Sequence, residues 1–303
     1  MLKYITVAII LKLFSLNPST KRAYRLIAND LGARSRTKKQ LPQRYLNRAN
    51  NLLNLNHRYG FLKQGDKILE VGTGWLHWEA IVIRLFFDVR SVLYDVWDNR
   101  QLIALKDYIA QLEGMLDELN GDDAQLDGAK RLISQIKAVQ SFEELYRLLG
   151  FTYVIDKSGE LASFEQEAFD FVVSSDVLEH VHKDSAFSLV KGFAKVLKPG
   201  GYSMHKIDMN DHLYYYSNTV SPKQYMHYSD RIWKRYFEND VQYINRIQLP
   251  EWRAMFHDAG LELVHEETRL EDLKGLELAP LYQDLLLDEK TCSNVIFLYR
   301  KSL

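Results

Sequence analysis

The chain is poor in cysteine. Cys292 is the only one in 303 residues, which excludes an intrachain disulfide and any multi-cysteine metal site and fits a reducing compartment. No apolar run approaches the length needed to span a bilayer. Residues 4–16 resemble a signal-peptide core, but Lys12 interrupts them and no small-residue cleavage site follows, so they are expected to be retained. A third shortage is local. Residues 1–64 hold thirteen of the 39 basic residues but only one of the 40 acids, Asp30, which leaves the remainder at a net charge of −13. A basic arm ahead of an acidic body points to an anionic partner: a membrane surface, a phosphorylated substrate or nucleic acid. It equally suits an arm packed on that body.

What remains is an ordinary globular composition, 47% hydrophobic and 26% charged, long enough for one large domain with additions or two small ones. Its centre of organisation is residues 68–75, ILEVGTGW. Ile68, Leu69 and Val71 suit a buried strand, Gly72-Thr73-Gly74 turns the chain, and residues 76–87 suit a helix. Glycines let backbone approach a ligand, and a helix N-terminus offers free N–H groups. Asp95 closes the next strand, residues 91–94, and stands 25 residues beyond Glu70. That spacing favours a contact with ribose hydroxyls over a helix-capping aspartate.

Residues 1–60 read as a basic helical arm, with Asn17-Pro18-Ser19 opening its second helix and a third helix over residues 42–58. The body, residues 61–303, alternates strands and helices. Strands are expected at residues 67–71, 91–94, 153–155, 169–174, 202–207, 261–267 and 293–299. The class is α/β with an open, mostly parallel sheet. Residues 100–150 form a helical insertion. Its stripe Leu102, Leu105, Ile109, Leu112, Leu116 and Leu119 suits packing, or the face of a homodimer. Ser141 with Glu144 resembles a capping box, and Asp184 can cap the helix that follows it. Residues 208–249 form an insertion crowded with aromatics: Tyr214, Tyr215, Tyr216, Tyr225, Tyr228, Trp233, Tyr236 and Phe237. Interleaved with Arg231, Lys234 and Arg235, they suit either a sugar-binding lid or a small aromatic core.

The glycine turn, Asp95 and the stretch FDFVVSSDVLEHVHKDSAFSLVKGFAKVLKPGGYSMHKI together resemble class I S-adenosylmethionine-dependent methyltransferases. The resemblance covers residues 60–303 without the insertion. It implies a Rossmann-like, seven-stranded sheet whose last strand is antiparallel, and S-adenosyl-L-methionine as cofactor. Gly72, Thr73 and Gly74 would face its methionine part, with Glu70 near the ammonium group. Asp95 would hold the ribose, Asp156 would lie near adenine, and Ser174 and Ser175 would line the methionine side. Trp75 replaces the third glycine of the usual GxGxG, and would cover the cofactor or pack in the interface of the insertion. GTGW, with HKID and DH after the fifth strand, further resembles bacterial members associated with polysaccharide or cell-surface glycan synthesis.

The expected reaction is O-methylation of a glycan or lipid-linked sugar precursor. An activated methyl needs alignment and exclusion of water, and an alcohol nucleophile benefits from a base. His205 or His212, oriented by Asp208 or Asp211, could deprotonate a sugar hydroxyl; the alternative for each histidine is a structural role, with His205 inside the strand and facing the core. Glu179 and His180 belong to the family's general VLEHV pattern. His, Asp and Glu also suit a divalent metal, but no ligand spacing points to one, and no metal is expected. A lipid or quinone methyltransferase and a non-catalytic, cofactor-binding assembly partner remain alternatives. A base N-methyltransferase lacks its NPPY-type segment here, so nucleic acid is disfavoured, and a nicotinamide dehydrogenase leaves LEHV and LKPGG without a place. The expected location is cytoplasmic, with residues 1–60 touching an anionic inner membrane face.

Overall fold

The computed structural model describes residues 1–36, 40–217 and 219–303; Lys38 and Lys39 of the arm, and the side chains of Asp30 and Arg34, lie outside the described set. Three helices come first: α1 (Leu2–Phe14), α2 (Pro18–Arg36) and α3 (Gln43–Tyr59). Then follow β1 (Lys67–Val71), α4 (Trp78–Phe86), β2 (Arg90–Asp95), α5 (Leu102–Glu113), α6 (Asp123–Ala138), α7 (Phe142–Leu149) and β3 (Phe151–Ile155). The second half holds β4 (Phe169–Ser175), α8 (Lys183–Val196), β5 (Leu197–Asp208), α9 (Asp230–Tyr236), α10 (Leu249–Asp258), β6 (Leu261–Leu270), α11 (Leu287–Thr291) and β7 (Cys292–Lys301).

The seven strands form one sheet in the order β3-β2-β1-β4-β5-β7-β6. β1 runs parallel to β2 and β4, and β2 to β3, whereas β7 runs antiparallel to β6. This is the expected Rossmann-like sheet. Phe171, Val172 and Val173 of β4 are completely buried, as the apolar run FDFVVS requires of a strand covered on both faces. All seven expected strands are present. β5 is longer than expected: it starts at Leu197, ahead of Pro199-Gly200-Gly201. Among the described residues no helix is long and apolar enough to cross a membrane.

The chain divides into two compact units. The α1 unit comprises Met1–Ala28, Ser175–Ala194 and Met204–Ser302; the β1 unit comprises Asn29–Ser174 and Lys195–Ser203. This division falls within α2, whereas the boundary expected from the sequence lay at residue 60. In the β1 unit, α3 packs on α4, α4 on α6, and α7 on β3. Leu105, Ile109, Leu112 and Leu116 of the insertion are completely buried, so their stripe is packing and not a dimer face. Ser141 does cap α7, accepting from Glu144 N–H at 3.1 Å.

In the α1 unit, Tyr4, Ala8 and Leu11 lie on one face of α1 at helical spacing. They join a core with Tyr225, Trp233 and Phe237. Those three aromatics of the 208–249 insertion thus form a core, while Tyr215, Tyr216 and Tyr236 stay exposed. The opposite face of α1 presents Ile5, Ile9, Ile10 and Leu13 to solvent.

Candidate functional site

The β1 unit builds one polar cluster around the glycine turn. Gly72 and Gly74 have φ of 69° and 60°, a left-handed conformation that side chains resist. The turn is tied to β2: Gly72 N–H donates to Tyr94 O at 2.8 Å, and Gly74 N–H to Asp95 Oδ2 at 2.9 Å. A Cβ at Gly74 would project into open space, with only Gly72 O near it at 3.9 Å. Asp95 Oδ1 accepts from Val96 N–H at 2.8 Å and from Trp97 N–H at 3.4 Å, so only Oδ2 serves the turn and it keeps one lone pair free of backbone. Burial raises the Asp95 pKa against the pull of these N–H donors. Asp156 follows β3. Its N–H donates to Asp95 O, and its Oδ1 accepts from Ser158 N–H and Oγ. Ser174 is buried and pairs in register with Val71 at the end of β1.

Beneath the turn, Thr73 Oγ1 donates to Glu70 Oε2 and lies 2.8 Å from His77 Nδ1, and His77 Nε2 lies 3.1 Å from Tyr146 Oη. The single Thr73 hydroxyl proton goes to Glu70. His77 therefore donates from Nδ1 and accepts from Tyr146 at Nε2. Burial depresses the His77 pKa to about 3, so the ring stays neutral. The Glu70 carboxyl is pushed well up by burial and by Glu79. Arg48 Nε donates to Glu79 Oε1 at 2.7 Å. His77 itself has φ of 52° and precedes the first turn of α4, which is why the helix begins at Trp78 and not at residue 76.

A second cluster lies in the α1 unit. Asp208 ends β5; its carboxylate accepts from Tyr215 Oη and Asn210 N–H, with His212 Nε2 at 3.6 Å. Burial alone would raise its pKa, but His212, Tyr215 and Asn210 outweigh burial and bring it down to about 2. The His212 ring lies 4.9 Å from that of His180, whose Nδ1 is 2.7 Å from Tyr243 O. Glu179 is 3% exposed. Lys223 is fully buried and donates to Tyr225 Oη and Gln248 Oε1, both neutral; burial brings its pKa down to about 7. A cleft of about 430 Å³ in this unit is lined by Lys183, Lys234, Tyr243, Arg246 and Glu251 among others.

A family model described as a methyltransferase domain matches residues 39–266. The chain belongs to the methyltransferase-domain family. No curated protein matches this methyltransferase. Solved structures similar to it include phosphoethanolamine N-methyltransferase 2 of Haemonchus contortus in complex with S-adenosyl-L-methionine. That pair shows 15% identity and a TM-score of 0.48, covering 84% of this chain and 52% of the other, about half its length. A SAM-dependent methyltransferase from Methanosarcina mazei shows 16% identity over 82% of this chain and 97% of that one, with a TM-score of 0.46.

Several expected site residues of the methyltransferase sit differently from the sequence reading. His205 is completely buried, stacked on Phe193 at 4.6 Å and tilted against Phe256 at 5.0 Å; burial lowers its pKa to about 3. It is core, not a base. Asp211 is completely buried and accepts from Tyr4 Oη at 2.6 Å and Leu213 N–H at 2.9 Å, so it anchors α1 and does not orient a histidine. Glu70 is 2% exposed and accepts from Thr73 Oγ1 and Glu79 N–H. Trp75 packs edge-on against Tyr108 with the Arg36 guanidinium over its ring, which gives it the packing role. Ser175 is half-buried at the end of β4. The roles of His77, Arg48 and Lys223 had no local signal, because each depends on partners distant in sequence.

Proposed function

We propose that this methyltransferase takes S-adenosyl-L-methionine at the C-terminal ends of β1 and β2 and methylates a hydroxyl of a glycan or lipid-linked sugar precursor. The observation that carries the cofactor reading is the left-handed Gly72–Gly74 turn pinned to Asp95, with open space above Gly74. Gly72, Thr73 and Gly74 would take the methionine part there. The remaining lone pair of Asp95 Oδ2 would accept from the ribose hydroxyls, Asp156 would flank adenine, and Ser174 and Ser175 would line the methionine side. When bound, this cofactor supplies a methyl already activated by its sulfonium.

The chain's own residues then hold the acceptor, exclude water and take a proton. His212 would accept the hydroxyl proton as the oxygen is methylated, with the Asp208 carboxylate 3.6 Å from its Nε2. Exposed Tyr215, Tyr216 and Tyr236 suit sugar faces, and exposed Arg231, Lys234 and Arg235 suit phosphate. The bare apolar face of α1 favours an acceptor carried on a lipid, at an anionic membrane surface facing the cytoplasm. The same observation supports the second reading, a lipid or quinone acceptor.

The test is transfer of labelled methyl from the cofactor into polysaccharide, lipid-linked glycan and quinone fractions. Label in a glycan fraction is the expected result. Label only in quinone would replace the acceptor. Cofactor binding without label in any fraction would leave a non-catalytic assembly partner.

A further inference from the structure

Three side chains of the α1 unit converge: buried Glu179, exposed His180 and half-buried His212, whose Nε2 has the Asp208 carboxylate at 3.6 Å. Glu179 is 3% exposed, and neither of its carboxylate oxygens has a hydrogen-bond partner. A buried carboxyl without a donor is a costly arrangement that native structures rarely keep without compensation. The cations around it are engaged elsewhere. Lys206 pairs with Asp176. Arg246 lines the small cavity beside Glu179, yet its guanidinium bonds Asp230 and Tyr282 and lies over the Trp233 ring. Asp176 and Asp208 add negative charge near Glu179.

Histidines complete the set. Tyr243 O can only accept, so His180 Nδ1 carries the proton and Nε2 keeps a free lone pair. A backbone carbonyl on the far nitrogen is the usual way a metal-binding histidine is held in its tautomer. His212 Nε2 is also buried without a hydrogen-bond partner. One ligand atom from each of Glu179, His180 and His212 lies within 4.8 Å of the others. The short turn carrying Glu179 and His180 is clamped, because Asn245 Nδ2 donates to Leu178 O and Val181 O and Asn245 N–H to Glu179 O. A cavity of about 10 Å³ beside Glu179 and Asp208 is lined by Asn245 and Arg246 and not by either histidine.

We propose that Glu179, His180 and His212 form a divalent transition-metal site, with the Asp208 carboxylate beside His212. Two imidazoles and a carboxylate suit Zn²⁺, Mn²⁺, Fe²⁺ or Co²⁺ and disfavour Ca²⁺ and Mg²⁺. Ligand atoms about 2.1 Å from one ion lie at most about 4.2 Å apart, so loading draws the cluster in by a few tenths of an ångström. Three protein ligands leave positions open for an acceptor oxygen. A hydroxyl bound there would give up its proton more readily, to water, and His212 would then be a ligand in place of the base. Only this last consequence rests on the methyl-transfer reading; metal binding stands without it.

The experiment uses untagged, full-length protein stripped with chelator and dialysed. Calorimetry with Zn²⁺ and Mn²⁺ is expected to give one site per chain, and Co²⁺ to give a visible d–d spectrum. Glu179→Gln and His212→Gln should each weaken binding at least tenfold, and His257→Asn, at an exposed histidine beside Asp258, should not change it. His180→Gln serves as a third variant should Glu179→Gln fail to fold, as judged by circular dichroism. Bound metal should raise the wild-type Tm and leave that of Glu179→Gln unchanged. No stoichiometric binding, or equal binding in wild type and all three ligand variants, overturns the site. Because metal is read directly, a failure of methyl transfer leaves this result untouched.

Discussion

At the scale of the residue, the clearest case is Asp95. Its place after the second strand was legible from spacing alone, but its hydrogen bond to Gly74 N–H was not. A carboxylate that both pins the turn and receives ribose should be costly to remove. Asp95→Ala is expected to weaken S-adenosyl-L-methionine by about 1.5–3 kcal/mol, the worth of hydrogen bonds to a charged acceptor. Calorimetry would show it; unchanged affinity would take Asp95 out of the cofactor site. Lys223 is the opposite case, invisible in the sequence because nothing local marks a lysine as buried. Its pKa falls from 10.5 to about 7 by burial. Between those values the unfolded chain binds the extra proton, so stability rises with pH, by up to about 1.4 kcal/mol per pH unit. Lys223→Met should be more stable than wild type at pH 7, and urea titrations should show the gap narrowing by pH 9. A gap that stays constant with pH would mean that Lys223 keeps its charge when buried.

At the scale of the element, patterning located every strand, while the ends moved where tertiary contacts decided. The α4 helix starts late because His77 is held by Thr73 and Tyr146, which no periodicity reveals. Of the two roles the sequence left open for His205, base or core, the core one fits its place, because the aromatic residues facing it, Phe193 and Phe256, only meet it in the fold. The α1 helix carries the sharpest test at this scale. Its Tyr4 hydroxyl reaches across 207 positions of sequence to Asp211. Burial lifts Asp211 to about 6, while the Tyr4 bond pulls it down. A raised carboxyl costs stability as pH climbs from its unfolded value through its folded one, and the full cost is present above about 6. Tyr4→Phe removes the donor that limits this cost. It should destabilise the fold by about 1–3 kcal/mol near pH 7.5 and by less at pH 5, where Asp211 is largely protonated. Urea unfolding at both pH values measures it. An equal loss at both would show that packing of the ring, not the hydrogen bond, is what Tyr4 contributes.

At the scale of the whole molecule, the seven-stranded sheet with its antiparallel last strand came through resemblance, while the order of the strands was not read, because hydrophobic alternation says that strands exist but not which are neighbours. The division into units was not legible at all. It depends on Tyr4 meeting Asp211 and Arg48 meeting Glu79, contacts that separate two parts of what reads as one basic arm. Charge asymmetry survives this division in reduced form. Lys12 is spent on Lys234 O and Glu238 O, and Lys21 on Asp240, so fewer cations face outward than composition implies. Lys3 and Arg22 are exposed, near the bare residues Leu2, Ile5, Ile9, Ile10, Leu13 and Leu16. Apolar side chains in such a cluster with cations suit the interface of an anionic bilayer. Each exposed cation can add about 1 kcal/mol there, and salt screens that share beyond a Debye length. Full-length protein should therefore sediment with anionic vesicles at low salt, bind neutral ones less, and come off partly as salt rises. Deleting the helix is the wrong control, because Tyr4, Ala8 and Leu11 belong to the core of the α1 unit. Ile5→Glu with Ile9→Glu leaves that face intact and puts two charges on the other. The double variant should stay in the supernatant while keeping wild-type circular dichroism. Equal sedimentation of the two proteins, or none by either, would mean that this face meets something other than a membrane.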